Sequence, residues 1–132
     1  MQLYLMRHAE AKPGGPDELR ALTSTGRKAA RALGEHLREL GVKPDAVVTS
    51  PLLRARETGA AVARVTGAPA SADERLAPGA TTDDLRAAVA GRGETIVVVG
   101  HQPDCGQIAA DLTGDGPPPF PPAGMVRIAL AD

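Results

Sequence analysis

Thr95-Ile96-Val97-Val98-Val99-Gly100-His101-Gln102-Pro103 decides the fold. Its first five residues are all β-branched, and no polar side chain alternates with them. Such a run predicts a strand covered on both faces, at the centre of a parallel sheet. Gly100 lets a ligand approach the backbone closely, His101 is left at the strand's end, and Pro103 opens a helix.

Outward from this centre, short apolar runs alternate with helix-like stretches, the pattern of parallel strands joined by crossover helices. Residues 2 to 6 read as the first strand, and Thr23 or Ser24 caps a helix to about Leu40 with Ala29, Leu33, Leu37 and Leu40 on one face. Ala46 to Val48 is a short buried strand. Ser50 as N-cap with Pro51 at the first helical position starts a helix to about Thr66. A weak strand is placed at 69 to 72. Thr81 with Asp84 resembles a capping box opening a helix to Ala90. A helix from Pro103 ends at Gly114, and the proline-rich stretch 116 to 122 is a stiff connection to a last strand, Met125 to Leu130. The expected fold class is α/β: a three-layer, mostly parallel sheet with helices on both faces. His36 reads as half-buried packing and Cys105 as a small core residue.

The 132 residues suit one domain, 1–132. Hydrophobic residues at 42% and charged residues at 23% argue against disorder. A net charge of -1 supplies no overall positive field for nucleic acid or an anionic membrane. With two aromatic residues and no Trp, base stacking has no platform. Cys105 is the only cysteine, so an intrachain disulfide and a cysteine-rich zinc site are excluded. No stretch reaches membrane-span length, and the first residues lack signal-peptide order. A cytoplasmic protein is expected.

Polar residues collect where the strands end: Arg7 and His8 after the first, Ser50 and Arg54 after the second, His101 after the central one. In open α/β sheets these carboxyl ends gather at one edge, where ligands bind. Two guanidinium forks suit the oxygens of a phosphoryl group. A neutral His8 imidazole between them can attack phosphorus, and His101 can donate to a transferring oxygen. Each residue alone has a plainer explanation: Ser50 as a cap, Arg54 as a solvated helix residue, His8 as a structural histidine. A zinc site from His8 and His101 lacks a third ligand with suitable spacing.

Leu5-Met6-Arg7-His8-Ala9-Glu10 resembles the Arg-His-Gly signature of the histidine phosphatase superfamily, with Ala9 in place of the usual glycine. Thr49 to Thr58, containing Ser50-Pro51-Leu52-Leu53-Arg54, resembles the second block of that family, and Val99-Gly100-His101-Gln102-Pro103 the third. Leu22-Thr23 with Gly26 matches the opening of its first helix. The resemblance implies a phosphoglycerate mutase-like fold, His8 as the phosphorylated nucleophile, and Arg7, Arg54 and His101 around the phosphate. It implies no metal or other cofactor. The short length looks most like the SixA-type phosphohistidine phosphatases, with an open pocket and phosphohistidine on a protein as substrate. For a general acid, Glu74 is the nearest match, one residue out of register, and Asp17 resembles an acidic residue of the SixA-type loop. The alternatives are a phosphatase of small phosphate esters (sugar or nucleotide phosphates) with the same nucleophile, and a catalytically silent phosphate-binding module. Oligomeric state is not legible.

Overall fold

The computed structural model describes residues 1–131. Five strands form one sheet: β1 (Gln2–Arg7), β2 (Ala46–Thr49), β3 (Ala70–Ala72), β4 (Thr95–Gly100) and β5 (Met125–Ala129), in the order β3-β2-β4-β1-β5. The strand expected at the centre, β4, lies there, paired in parallel with β1 and β2. β5 alone runs antiparallel, along the outer edge of β1.

Four helices cover the two faces: α1 (Ser24–Glu39), α2 (Leu53–Thr66), α3 (Thr82–Val89) and α4 (Asp104–Thr113). Alternate side chains of the central strands serve opposite faces, the period-2 geometry of a strand. Leu3, Leu5, Val48, Ile96 and Val98 pack with Leu85 of α3 and Ile108 of α4. Tyr4, Met6, Val47, Val97 and Val99 pack with Leu37 of α1 and Val62 of α2. This double cover explains the unbroken apolar run of β4. Each such aliphatic side chain, fully buried, stabilises the fold by about 1.5–3 kcal/mol.

Local signals set the ends of the helices. Thr23 accepts from Gly26 N–H to cap α1, and Thr81 and Asp84 form the reciprocal capping box of α3. Gly67 and Gly114 close α2 and α4 in left-handed conformations (φ 79° at each) that favour glycine.

Three expectations are corrected. The helix placed after Ser50 begins two residues later, with Leu52 at its N-cap and no capping side chain there. Ser50 Oγ still accepts the Leu52 N–H, at 3.2 Å, but its stronger contact, at 2.7 Å, is with His101 across the sheet. Leu40 is exposed at the C-cap of α1, one turn beyond Leu37, the last residue of the helix that packs into the core. His36 is also exposed: its helix face points away from α2, which packs over Leu37.

Candidate active site

The strand ends are stapled together just beyond the sheet. Arg7 stands opposite Gly100 in the β1–β4 register, and the pairing continues with His8 N–H donating to the Gly100 carbonyl at 3.0 Å. Ser50 N–H donates to the Val99 carbonyl, also at 3.0 Å, bringing the end of β2 alongside. Residues far apart in sequence therefore emerge side by side. The His8 and His101 rings lie 5.3 Å apart, centroid to centroid, tilted by 58°.

His8 Nδ1 lies 2.7 Å from the Ala9 carbonyl oxygen. A carbonyl can only accept, so Nδ1 carries the proton and Nε2 of the neutral ring keeps its lone pair. Burial pushes the His8 pKa below its ordinary value; the Arg54, Arg7 and Arg20 charges push it the same way, against the contact with Ala9. The ring is thereby kept in its nucleophilic form.

His101 is buried, with Nε2 2.7 Å from Ser50 Oγ. Burial first, then the neighbouring His8 and Arg54, lower its pKa to about 4, so it is neutral at physiological pH. Ser50 Oγ accepts from Leu52 N–H and has a hydrogen of its own to give; when it donates that hydrogen to His101 Nε2, the imidazole hydrogen lies on Nδ1.

The two arginines are held by backbone carbonyls that the sequence does not advertise. Arg7 Nη1 donates to Phe120 O at 3.0 Å, so the proline-rich connection braces the site. Arg54, 7% exposed, donates through Nη1 to Asp17 O at 2.9 Å and through Nη2 to Asp17 Oδ2 at 3.3 Å. Arg7 Nε, Arg54 Nε and His101 Nδ1 are buried without a hydrogen-bond partner among the described residues. Buried polar atoms are normally satisfied. Three such atoms, two from the ends of β1 and β4 and one from the first turn of α2, suit an oxyanion with several acceptor oxygens.

The two carboxylates weighed as acids differ. Asp17 binds both Arg54 and Arg20, and the Arg20 hydrogen bond above all holds its carboxyl below the usual range, so it is ionised. Glu74 follows β3, at the same edge of the sheet, but is exposed and its carboxylate has no hydrogen bond or ion pair among the described residues. No group of three or more His, Cys, Asp and Glu among the described residues could hold a metal ion.

Residue-type reasoning missed Thr58. Its hydroxyl, wholly buried, accepts from Ala9 N–H and donates to the Arg54 carbonyl. Its signal was its place one helical turn after Arg54. Glu57, beside it, accepts the Leu22 N–H at 2.8 Å and anchors the segment that enters α1.

Known proteins resemble this chain in sequence and fold. The phosphohistidine phosphatase SixA of Escherichia coli is 30% identical over 138 residues, covering 98% of this chain and 86% of that protein. A structure of the protein histidine phosphatase SixA complexed with tungstate superposes with a TM-score of 0.87 at 28% identity, over 96% of this chain and 86% of the other. The mitochondrial serine/threonine-protein phosphatase Pgam5 of Drosophila simulans is 47% identical over 57 residues, 42% of this chain and 20% of that protein. The family model of the histidine phosphatase superfamily, branch 1, matches residues 3–78, a range that contains Arg7, His8 and Arg54. The chain belongs to the histidine phosphatase superfamily.

Proposed function

We propose that this protein is a phosphatase that removes phosphate from phosphohistidine on a protein, through an intermediate on His8. The observation that carries the reading is the contact of His8 Nδ1 with the Ala9 carbonyl, which leaves Nε2 unprotonated beside two fixed arginines. In the first step Nε2 attacks phosphorus in line. The P–N bond to the substrate breaks, its electron pair stays on the departing imidazole, and that nitrogen then takes a proton from solvent. In the second step water attacks phospho-His8, the new P–N bond breaks, and phosphate leaves while the imidazole is restored. Arg7, Arg54 and His101 Nδ1–H stabilise the charge on the transferring oxygens.

Imidazole leaves a weak P–N bond readily, so this substrate makes little demand on a general acid. The site accords with that: Asp17 is ionised and engaged with arginines, better suited to positioning Arg54 than to giving up a proton. The names of the SixA relatives point to the same substrate class.

Brief exposure to a reactive phosphate donor, followed by an acid quench and peptide mapping, tests the reading. Acid-labile phosphate on the His8 peptide is expected; its absence rejects the mechanism.

A second reading keeps the nucleophile but takes small phosphate esters. It is favoured by Glu74, exposed and unengaged just after β3 at the end of the sheet where the other strand ends emerge, a carboxyl available to an alkoxide leaving group. Loss of alkyl phosphate turnover in Glu74→Gln, with phosphohistidine hydrolysis retained, would assign it that role. Aryl phosphate hydrolysis that disappears in His8→Ala excludes a silent phosphate-binding module. We further take the chain to act as one domain in the cytoplasm, without nucleic acid or membrane as partner. No helix among the described residues is long and apolar enough to cross a membrane.

A further inference from the structure

Arg27 and Arg31 of α1 and Arg64 of α2 line a groove of about 270 Å³ whose apolar wall includes Leu22 and Val65. Glu57 is the acid lining it, and its carboxylate is already engaged: one oxygen accepts the Leu22 N–H and the other lies 3.8 Å from Arg27. Arg31 and Arg64 are exposed, and neither side chain has a hydrogen bond or ion pair among the described residues. A chain with a net charge of -1 thus gathers three guanidinium groups against one carboxylate along a single groove. The local field is positive.

The groove runs along α2, the helix that also carries Arg54. Glu57 follows Arg54 by three residues on α2, a rise of about 4.5 Å, and Arg64 lies about 15 Å along the same helix from Arg54. That length matches four or five residues of extended chain, at about 3.3–3.6 Å each.

We propose that this groove docks an acidic segment of the phosphorylated protein substrate. Asp and Glu side chains of that protein pair with Arg31 and Arg64 while its phosphohistidine enters the site. The inference rests on the phosphohistidine reading and adds the chemistry that selects among phosphorylated proteins. One phosphohistidine resembles another, whereas planar guanidinium forks discriminate carboxylate-bearing surfaces and steer their approach. A positive groove on the same helix as Arg54 also lets one encounter satisfy both.

Two synthetic peptides test it, each carrying one phosphohistidine, the first flanked by Asp and Glu and the second by Ser and Gly. Wild-type protein and the double variant Arg31→Glu/Arg64→Glu are compared on both, with p-nitrophenyl phosphate reporting an intact site. Wild type is expected to favour the acidic peptide in kcat/KM by about tenfold or more at low salt, through KM, in line with electrostatic steering. The preference should vanish near 1 M salt, where the screening length falls to about 3 Å. The double variant should lose the preference and keep p-nitrophenyl phosphate turnover. No preference in wild type, or a preference that survives in the variant, overturns the proposal. If neither phosphopeptide is hydrolysed, the phosphohistidine reading fails instead. Fluorescence anisotropy of the unphosphorylated acidic peptide then still decides the groove: binding to wild type that is lost in the variant supports it, and equal or absent binding overturns it.

Discussion

The backbone N–H of Ala9 donates to Thr58 Oγ1 at 3.0 Å, tying the residue whose carbonyl orients His8 to the helix that carries Arg54. The same hydroxyl donates to the Arg54 carbonyl at 2.8 Å. One buried hydroxyl thus sets the His8 loop against the helix that carries Arg54. Thr58→Val keeps the shape and leaves the Ala9 N–H unpaired, which should cost about 1–3 kcal/mol in denaturant unfolding. Displacing a reacting group by 1 Å can cost about a hundredfold, so kcat should fall between about tenfold and that limit. Thr58→Ser restores the hydroxyl and should recover most of kcat; equal loss in both variants would assign Thr58 to packing alone.

Ser50 should matter through the proton on His101. Ser50→Ala removes the hydroxyl 2.7 Å from Nε2 and frees the ring to change tautomer. Turnover of p-nitrophenyl phosphate should drop by about five- to tenfold, the worth of one hydrogen bond of about 1 kcal/mol, with a smaller change in KM. Nitrogen chemical shifts of labelled His101 should show hydrogen on Nδ1 in wild type and a mixture in the variant.

Asp17→Asn separates positioning from acid catalysis. An amide oxygen can still accept from Arg54, so an anchoring role predicts only a few-fold rise in KM for a phosphate ester and an unchanged alkaline limb of the pH profile. Removing Arg54 itself should be far more damaging: Arg54→Ala is expected to lose about 3 kcal/mol of transition-state stabilisation, the scale of one charge-stabilising donor.

The histidines give two pH dependences. His8 titrates below its ordinary value of 6.5, so the acid limb of kcat/KM should fall below that pH, and Arg54→Gln, which removes a repelling charge, should move it upward. His101 is protonated near 6.5 in the unfolded chain and near 4 in the folded one. Between those values the unfolded state binds more protons, so stability must fall as pH drops through this window and level off below it. Thermal unfolding followed from neutral pH downward should show the decline, reduced in His101→Gln.

Gly26→Ala should destabilise the protein and press on the segment that follows Ala9. A Cβ there would collide with the backbone carbonyl of Glu10, and backbone cannot swing away as a flexible side chain can. A loss of about 1–3 kcal/mol is expected from such overpacking, read as a lowered midpoint in urea.

Much of this was legible along the chain. The β-branched run of β4, the capping box at Thr81 and Asp84, and the glycines after α2 and α4 are signals confined to a few neighbouring residues, and each element formed where its signal lay. Arg7, His8, Arg54 and His101 could be picked out because parallel strands deliver their ends to one edge. Ser50 misled, since its proline neighbour suggested a cap, whereas the partner that claims its hydroxyl is 51 residues away.

What the sequence by itself determined is the order of strands and helices and the residue types able to bind and attack a phosphoryl group, because those follow from local periodicity and side-chain chemistry. What only the tertiary structure decided is which nitrogen of His8 bears the proton, which carbonyls hold the arginines, and that Asp17 is bound by guanidinium groups while Glu74 stays free. Those properties belong to contacts between residues distant in the chain, and hydrogen bonds across such distances acquire partners only once the sheet and its two helical layers have closed.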